Sequence, residues 1–303
     1  MLTNKVSEIM TRSIVSAEPS FSIRRVMALM VERRVGRVVL AEGNEPVGIF
    51  TEQDVLRRVM NRKLDVHKTA VRRVMTTPIH GVPQTTPILD VLGKMYAGRF
   101  RHLLVRDDNG QMVGLVSMRR ILDLAVNLGT GLHDTRAVGA IMSGKFEVVS
   151  PGARVAEVID RLAKERAGCV LVSDNASEAV QGIFTERDVL KKVAVEDRDM
   201  GHVRVSEVMT KDPIIMLESS PIQEVLTTMH ANGFRHMPVG STAGRVVGLV
   251  SMGDVLQYAK ALDIDDIVRK AWKEIEDFWE SDEHYTPGCS METCSWKSMG
   301  CPS

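Results

Sequence analysis

Three times in this sequence a hydroxyl residue stands three positions ahead of an aspartate: Thr51 and Asp54, Thr185 and Asp188, Ser251 and Asp254. A fourth hydroxyl, Ser117, has Arg120 where the aspartate would be. Each set follows a β-prone run and opens a helical one, which leaves two uses of the same side chains open. In the first, the hydroxyl accepts from the amide three residues on and the carboxylate reaches back to the hydroxyl residue's own amide, a capping box that also suits the helix dipole. In the second, the free amides of a helix start take a phosphate, the hydroxyl joins them, and the carboxylate accepts from ribose hydroxyls. Arginine accepts no hydrogen bond and has the wrong sign for a helix start, so the Ser117 copy is not expected to grip a sugar in this way. Arg119-Arg120 there either faces a phosphate held next door or forms a solvated basic turn.

An anionic ligand needs counter-charge. Arg101-His102 and Arg235-His236 occupy equivalent positions, where the other two copies have Gly36-Arg37 and Gly168-Cys169. Arg37, Arg101, His102, Arg120, Arg235 and His236 are therefore the candidate phosphate partners, with salt bridging between units as the competing use. If neighbouring units share a cleft, the Asp54 site draws on Arg101 and His102, and the Asp188 site on Arg235 and His236. The Asp254 site then faces Cys169, which lies in the apolar run CVLV and reads as a small buried hydrophobe.

The elements that position these residues recur. GIFTEQDVL at Gly48–Leu56 returns as GIFTERDVL at Gly182–Leu190, 134 residues on, with only Gln53 and Arg187 differing. Two equivalent pockets would need the same hydroxyl, carboxylate and helix start, and the variable position is expected to point away. VGLVSMRRIL and VGLVSMGDVL, and FRHLLV and FRHMPV, repeat at the same offset. Met10, Met75, Met142 and Met209 each close a V-x-x-(I/V)-M phrase at about half that spacing, so the chain is a pair of pairs. Ile23, Val26, Met27 and Met30 fall on one helical stripe, as do Ile88/Val91/Leu92/Met95, Val155/Val158/Ile159/Leu162 and Ile222/Val225/Leu226/Met229. Thr86-Pro87 and Ser220-Pro221 read as an N-cap with proline at the first helical position. In the first copy two β-prone runs follow, Arg37–Leu40 and Val47–Phe50, then a helix from about Glu52. A unit of this size buries little alone, so adjacent units should pack sheet to sheet.

The V-x-x-(I/V)-M opening, the GIFTE or VGLVS strand and the (T/S)-x-x-D turn resemble cystathionine β-synthase (CBS) domains over roughly Val6 to Lys260. Four copies resemble two Bateman modules, in repeat number like the gamma subunit of AMP-activated protein kinase. The resemblance implies an α+β fold of four β-α-β-β-α repeats. Module 1 spans residues 1–128, with repeats at about 6–62 and 71–128, and module 2 spans 134–260, with repeats at about 134–197 and 205–260. It also implies a non-catalytic regulatory protein whose Thr51, Asp54, Ser117, Thr185, Asp188, Ser251 and Asp254 meet ribose and phosphate of an adenosine-containing ligand: AMP, ADP, ATP or S-adenosylmethionine, with magnesium as an accompanying ion. A homodimer, or a regulated enzyme or transporter, is the implied partner.

The rest of the chain limits other functions. Formal net charge is zero, which gives no overall electrostatic case for nucleic acid or an anionic membrane. No apolar run approaches a membrane span and the first residues lack a signal-peptide layout, so a cytoplasmic protein is expected. An amphipathic helix over 261–282 carries Trp272 and Trp279 on its apolar stripe. In the tail, 283–303, His284, Cys289, Cys294 and Cys301 are enough ligands for a tetrahedral zinc site, although their spacing matches no Cys-x-x-Cys knuckle. A metal-binding or redox protein using that tail, with the repeats as its regulator, is the alternative function, and a tail of oxidisable thiols its plainer reading.

Overall fold

The structure, a computed structural model, describes residues 5–98, 100–121, 136–174 and 180–261. Each repeat builds a small sheet in which a short first strand runs parallel to the second, and the second pairs antiparallel with the third. In the first repeat these are Ser16–Ala17, Arg37–Glu42 and Glu45–Thr51, with the helix Ile23–Glu32 between the first two. Strands two and three join through Gly43-Asn44, and Gly43 has φ +60°, a conformation that favours glycine. All sixteen stripe residues are buried, so the apolar spacing does face the core.

The helix starts differ from expectation in detail. Ser22 caps the first helix by accepting from the Arg25 amide at 3.3 Å. The helix Ile222–Asn232 begins one residue later than read: Pro221 is itself the cap, with no side-chain cap bond. The carbonyls of Thr86 and Ser220 instead accept from Val6 and Val138, at 2.9 and 2.8 Å. These bonds show where the four V-x-x-(I/V)-M phrases go. Each packs on its pair-mate's repeat or crosses back, not on the repeat it opens. Thr11 exchanges two backbone bonds with Leu115, Thr76 with Ile49, and Ser143 with Leu249, while Thr210 pairs with Ile183. Each phrase's methionine covers a glycine of the receiving strand. A Cβ on Gly114, Gly48, Gly248 or Gly182 would lie 2.3, 2.7, 2.4 or 2.3 Å from the sulfur of Met10, Met75, Met142 or Met209.

The four repeats close on one another within the chain. Val39 and Ile49 pack on Leu104 and Leu115, sheet to sheet, in the first pair. In the second pair Cys169, Leu171 and Ile183 meet Val246 and Leu249. Helices join the pairs. The stripes of the second and fourth repeats share one core, while Leu190 and Ala194 of the third enter the core of the first and Leu56 of the first enters that of the third. The segments that cross here, Val55–Met60 and Val189–Ala194, are both π-helical, a rare wide turn that recurs at equivalent positions. The expected helix at 261–282 begins with Ala261, the last residue of the helix Met252–Ala261; the rest of it and the tail with His284, Cys289, Cys294 and Cys301 lie outside the described residues.

Candidate functional site

The three hydroxyl–aspartate pairs adopt the same geometry. Thr51 donates to Asp54 Oδ2 from its amide at 2.9 Å and from its hydroxyl at 2.7 Å, and its Oγ1 accepts from the Asp54 amide at 3.4 Å. Thr185 and Asp188 repeat these contacts at 2.9, 2.7 and 3.3 Å, and Ser251 and Asp254 at 2.7, 2.6 and 3.3 Å. The capping boxes are thus real. In the first and third repeats the second carboxylate oxygen is engaged as well. Asp54 Oδ1 accepts from Thr76 at 3.2 Å and faces Arg58 at 3.4 Å. Asp188 Oδ1 accepts from Thr210 at 3.2 Å and pairs with Lys192 at 2.7 Å. Arg58 and Lys192 also donate to the carbonyls of Met75 and Met209, at 2.7 and 3.1 Å, so each cap is tied to the phrase crossing from its pair-mate. Burial pushes the Asp54 carboxyl up, against the bonds from Thr51 and the charge of Arg58.

In the second repeat Ser117 Oγ accepts from the Arg120 amide at 3.2 Å, and Arg120 Nε donates to the Ile9 carbonyl at 3.1 Å. Arg120, although exposed, therefore holds the crossing phrase, the task of Arg58 and Lys192.

The strand columns read from sequence are real. Arg37, His102, Cys169 and His236 lie directly across from Thr51, Ser117, Thr185 and Ser251. Three of these columns lie where charge concentrates: Arg37, His102 and His236 each feel arginines from other repeats. Burial, then Arg119 and Arg235, push the Arg37 guanidinium down to about 10. Burial, helped by Arg37, Arg101 and Arg235, holds His102 well below its ordinary value, and burial with Arg235 and Arg101 brings His236 down to about 4. Both imidazoles are neutral at pH 7, so without a ligand they offer hydrogen bonds and the charge comes from arginine. Gly168 leaves the room His236 occupies: a Cβ there would fall 2.4 Å from His236 Nε2. Cys169 is 3% exposed, and burial with Glu186 and Asp188 raises its thiol to about 12, as suits an inert core residue.

Two expectations are corrected here. Arg235 does not turn to the Asp188 site; it forms an ion pair with Glu52 of the other module. Nor does the variable position of the repeated nonapeptide point away. Arg187 Nε lies 3.3 Å from Glu52 Oε1 and its Nη1 donates to the Gly233 carbonyl at 3.2 Å, while Gln53 Oε1 accepts from Arg101 at 2.6 Å. The residues missed are Glu52 and Glu186, each 4% exposed at the heart of the molecule. The signal was present, since both glutamates stand in the repeated nonapeptide between the hydroxyl and the aspartate. Burial raises the Glu52 carboxyl, but Arg235 and Arg187 together outweigh it and hold it below its ordinary value. For Glu186 burial wins, and its carboxyl is raised.

A ring of four α+β units with charged, capped helix starts around its middle defines a tandem-repeat class, and comparison with known proteins agrees. The CBS domain family profile matches residues 6–61, 71–127, 138–195 and 205–261, and the chain belongs to this family. The CBS domain-containing protein CBSCBSPB1 of Arabidopsis thaliana is 28% identical over 270 residues, an alignment covering 77% of this chain and 49% of that protein. The chain spans about half the length of the curated relatives it matches. Among solved structures, protein MJ1225 of Methanocaldococcus jannaschii superposes with a TM-score of 0.71 at 20% identity, covering 84% of this chain and 99% of its own, which shows the shared fold. The CBS domain protein PAE2072 of Pyrobaculum aerophilum, solved with AMP, is 30% identical but covers only 40% of this chain and 98% of its own, with a TM-score of 0.36. Among the described residues no helix is long and apolar enough to cross a membrane.

Proposed function

We propose that this chain is a regulatory sensor that binds adenosine-containing ligands in the clefts between paired repeats and signals by changing how the two modules pack. One observation carries the reading: three helix starts, each with a hydroxyl and a carboxylate, stand at the ends of strands whose neighbouring columns gather Arg37, Arg101, Arg235, His102 and His236 around one middle. A helix start with a donor hydroxyl suits a phosphate, a carboxylate suits sugar hydroxyls, and converging guanidiniums suit the charge of a phosphate chain.

Thr51, Asp54, Thr185, Asp188, Ser251 and Asp254 are the ligand residues of this reading, with Ser117 as a hydroxyl-only site. Arg37, Arg101 and Arg235 supply charge, His102 and His236 supply neutral hydrogen bonds, and magnesium accompanies polyphosphate ligands. Binding at Asp54 or Asp188 exchanges part of an existing carboxylate network for ribose hydroxyls, which couples the ligand to Arg58 or Lys192 and so to the crossing phrases. Signalling by repacking follows, because the same helices continue into the module junction.

Titration calorimetry with AMP, ADP, ATP and S-adenosylmethionine, with and without magnesium, tests the reading. Asp54→Ala and Asp188→Ala are each expected to weaken the preferred nucleotide by about ten- to a hundredfold, the worth of a charge-assisted hydrogen bond. Equal affinity in the parent and both variants rejects it.

A further inference from the structure

The two copies of the nonapeptide place Glu52 and Glu186 at equivalent positions, equally buried, yet the middle of the molecule treats them differently. Glu52 is clamped by two guanidiniums from the other module, Arg235 and Arg187. Glu186 makes no side-chain hydrogen bond or ion pair among the described residues, although Arg101, Arg235 and Arg57 surround it. The difference traces to one residue. The counterpart of Arg187 is Gln53, whose amide oxygen draws Arg101, the counterpart of Arg235, to 2.6 Å. The second clamp is thereby missing its added guanidinium, and its remaining arginine rests on a neutral group.

We infer that Gln53 and Arg187 determine how the site takes ligand phosphate: Glu52 is an internal anion filling the Arg187–Arg235 fork, and Arg101 on Gln53 is the arginine that receives a phosphate first. This rests on the reading above that ligand phosphates reach the basic middle. All three guanidiniums retain solvent access: Arg101 is exposed, and the side chains of Arg187 and Arg235 are 38% and 30% exposed. A phosphate displaces a neutral amide from Arg101 while losing no ion pair. To enter the other fork it must eject a carboxylate from two charge-assisted contacts. The two halves of a nearly symmetric molecule are then filled in order, and the Glu52 half favours the more highly charged ligand.

The test is calorimetry on the full chain with inorganic tripolyphosphate and, separately, AMP, comparing the parent with Glu52→Gln, Glu186→Gln and Gln53→Arg. Glu52→Gln is expected to raise tripolyphosphate affinity by about ten- to a hundredfold by releasing the fork, and Glu186→Gln by clearly less. Gln53→Arg, which completes a clamp on Glu186, is expected to lower it. Equal gains from the two glutamate variants would mean that net charge alone matters and would overturn the inference, as would no gain from Glu52→Gln. Should Glu52→Gln not fold, by circular dichroism, an unchanged affinity in Gln53→Arg overturns it instead. If tripolyphosphate follows the expected order while the parent binds no AMP, the clamp stands and the nucleotide reading falls. AMP binding with no order among the variants removes the clamp alone.

Discussion

At the scale of single residues, the aspartates carry structural work that any binding experiment must separate from recognition. Asp188 accepts from Thr185 and Thr210 and pairs with Lys192. Removing a buried acceptor leaves its donors unsatisfied, so Asp188→Ala is expected to cost about 1–3 kcal/mol in urea unfolding, and Asp188→Asn less because an amide oxygen remains. The two glutamates have opposite acid behaviour. Arginines hold Glu52 below its ordinary 4.5, so its contribution to stability is present above 4.5 and fades as pH falls through the lower folded value. Glu186 is raised, so its ionised form costs stability at neutral pH and the cost disappears as pH falls through its folded value. Melting curves between neutral pH and about pH 3 should therefore show Glu186→Gln more stable than the parent at neutrality, and Glu52→Gln less stable there, with the gap closing in acid. A Glu186→Gln variant no more stable than the parent at neutrality would contradict the absence of a partner for that carboxylate among the described residues.

At the scale of elements, the crossing phrases make four glycines strict. A methyl on Gly182 would meet Met209 Sδ at 2.3 Å and the Thr210 carbonyl at 3.0 Å. Because a backbone oxygen cannot swing aside as a side chain can, Gly182→Ala is expected to cost about 1–3 kcal/mol by overpacking, read from the urea midpoint. This is also where legibility in the sequence divides. The stripes Ile23/Val26/Met27/Met30 and their three copies were readable because helical period depends only on neighbours along the chain. The capping boxes were readable for the same reason, their bonds spanning three residues. The destination of the Met10 or Met75 phrase was not, since a V-x-x-(I/V)-M pattern states which side is apolar and not which repeat receives it. The partner of Arg235 was not legible for the same reason: repeat spacing points to the adjacent repeat, whereas the ion pair with Glu52 joins two modules through residues 183 apart in sequence. The π-helical segments left no sequence signal that we can identify.

At the scale of the whole molecule, the modules are joined by interdigitated cores, not by charge alone. Leu56, from the first repeat, is fully buried in the core of the third. Leu56→Ala is expected to cost about 2–5 kcal/mol by cavity formation. Because the lost contacts lie between modules, scanning calorimetry is expected to show one transition for the parent and two for the variant. Persistence of one sharp transition with that full loss would place the weakness inside a module.

The crossing phrases also bear on ancestry. A lone repeat cut out at its sequence borders would carry a segment with nothing beneath it and leave its own Gly-lined strand uncovered, so a gene encoding one copy would yield a chain needing a twin. The smallest inheritable piece that closes on itself is the pair. This accounts for why likeness is strong between first and third copies and between second and fourth, and faint within each pair: duplication acted on a piece already complete, whose halves had long since specialised to one another.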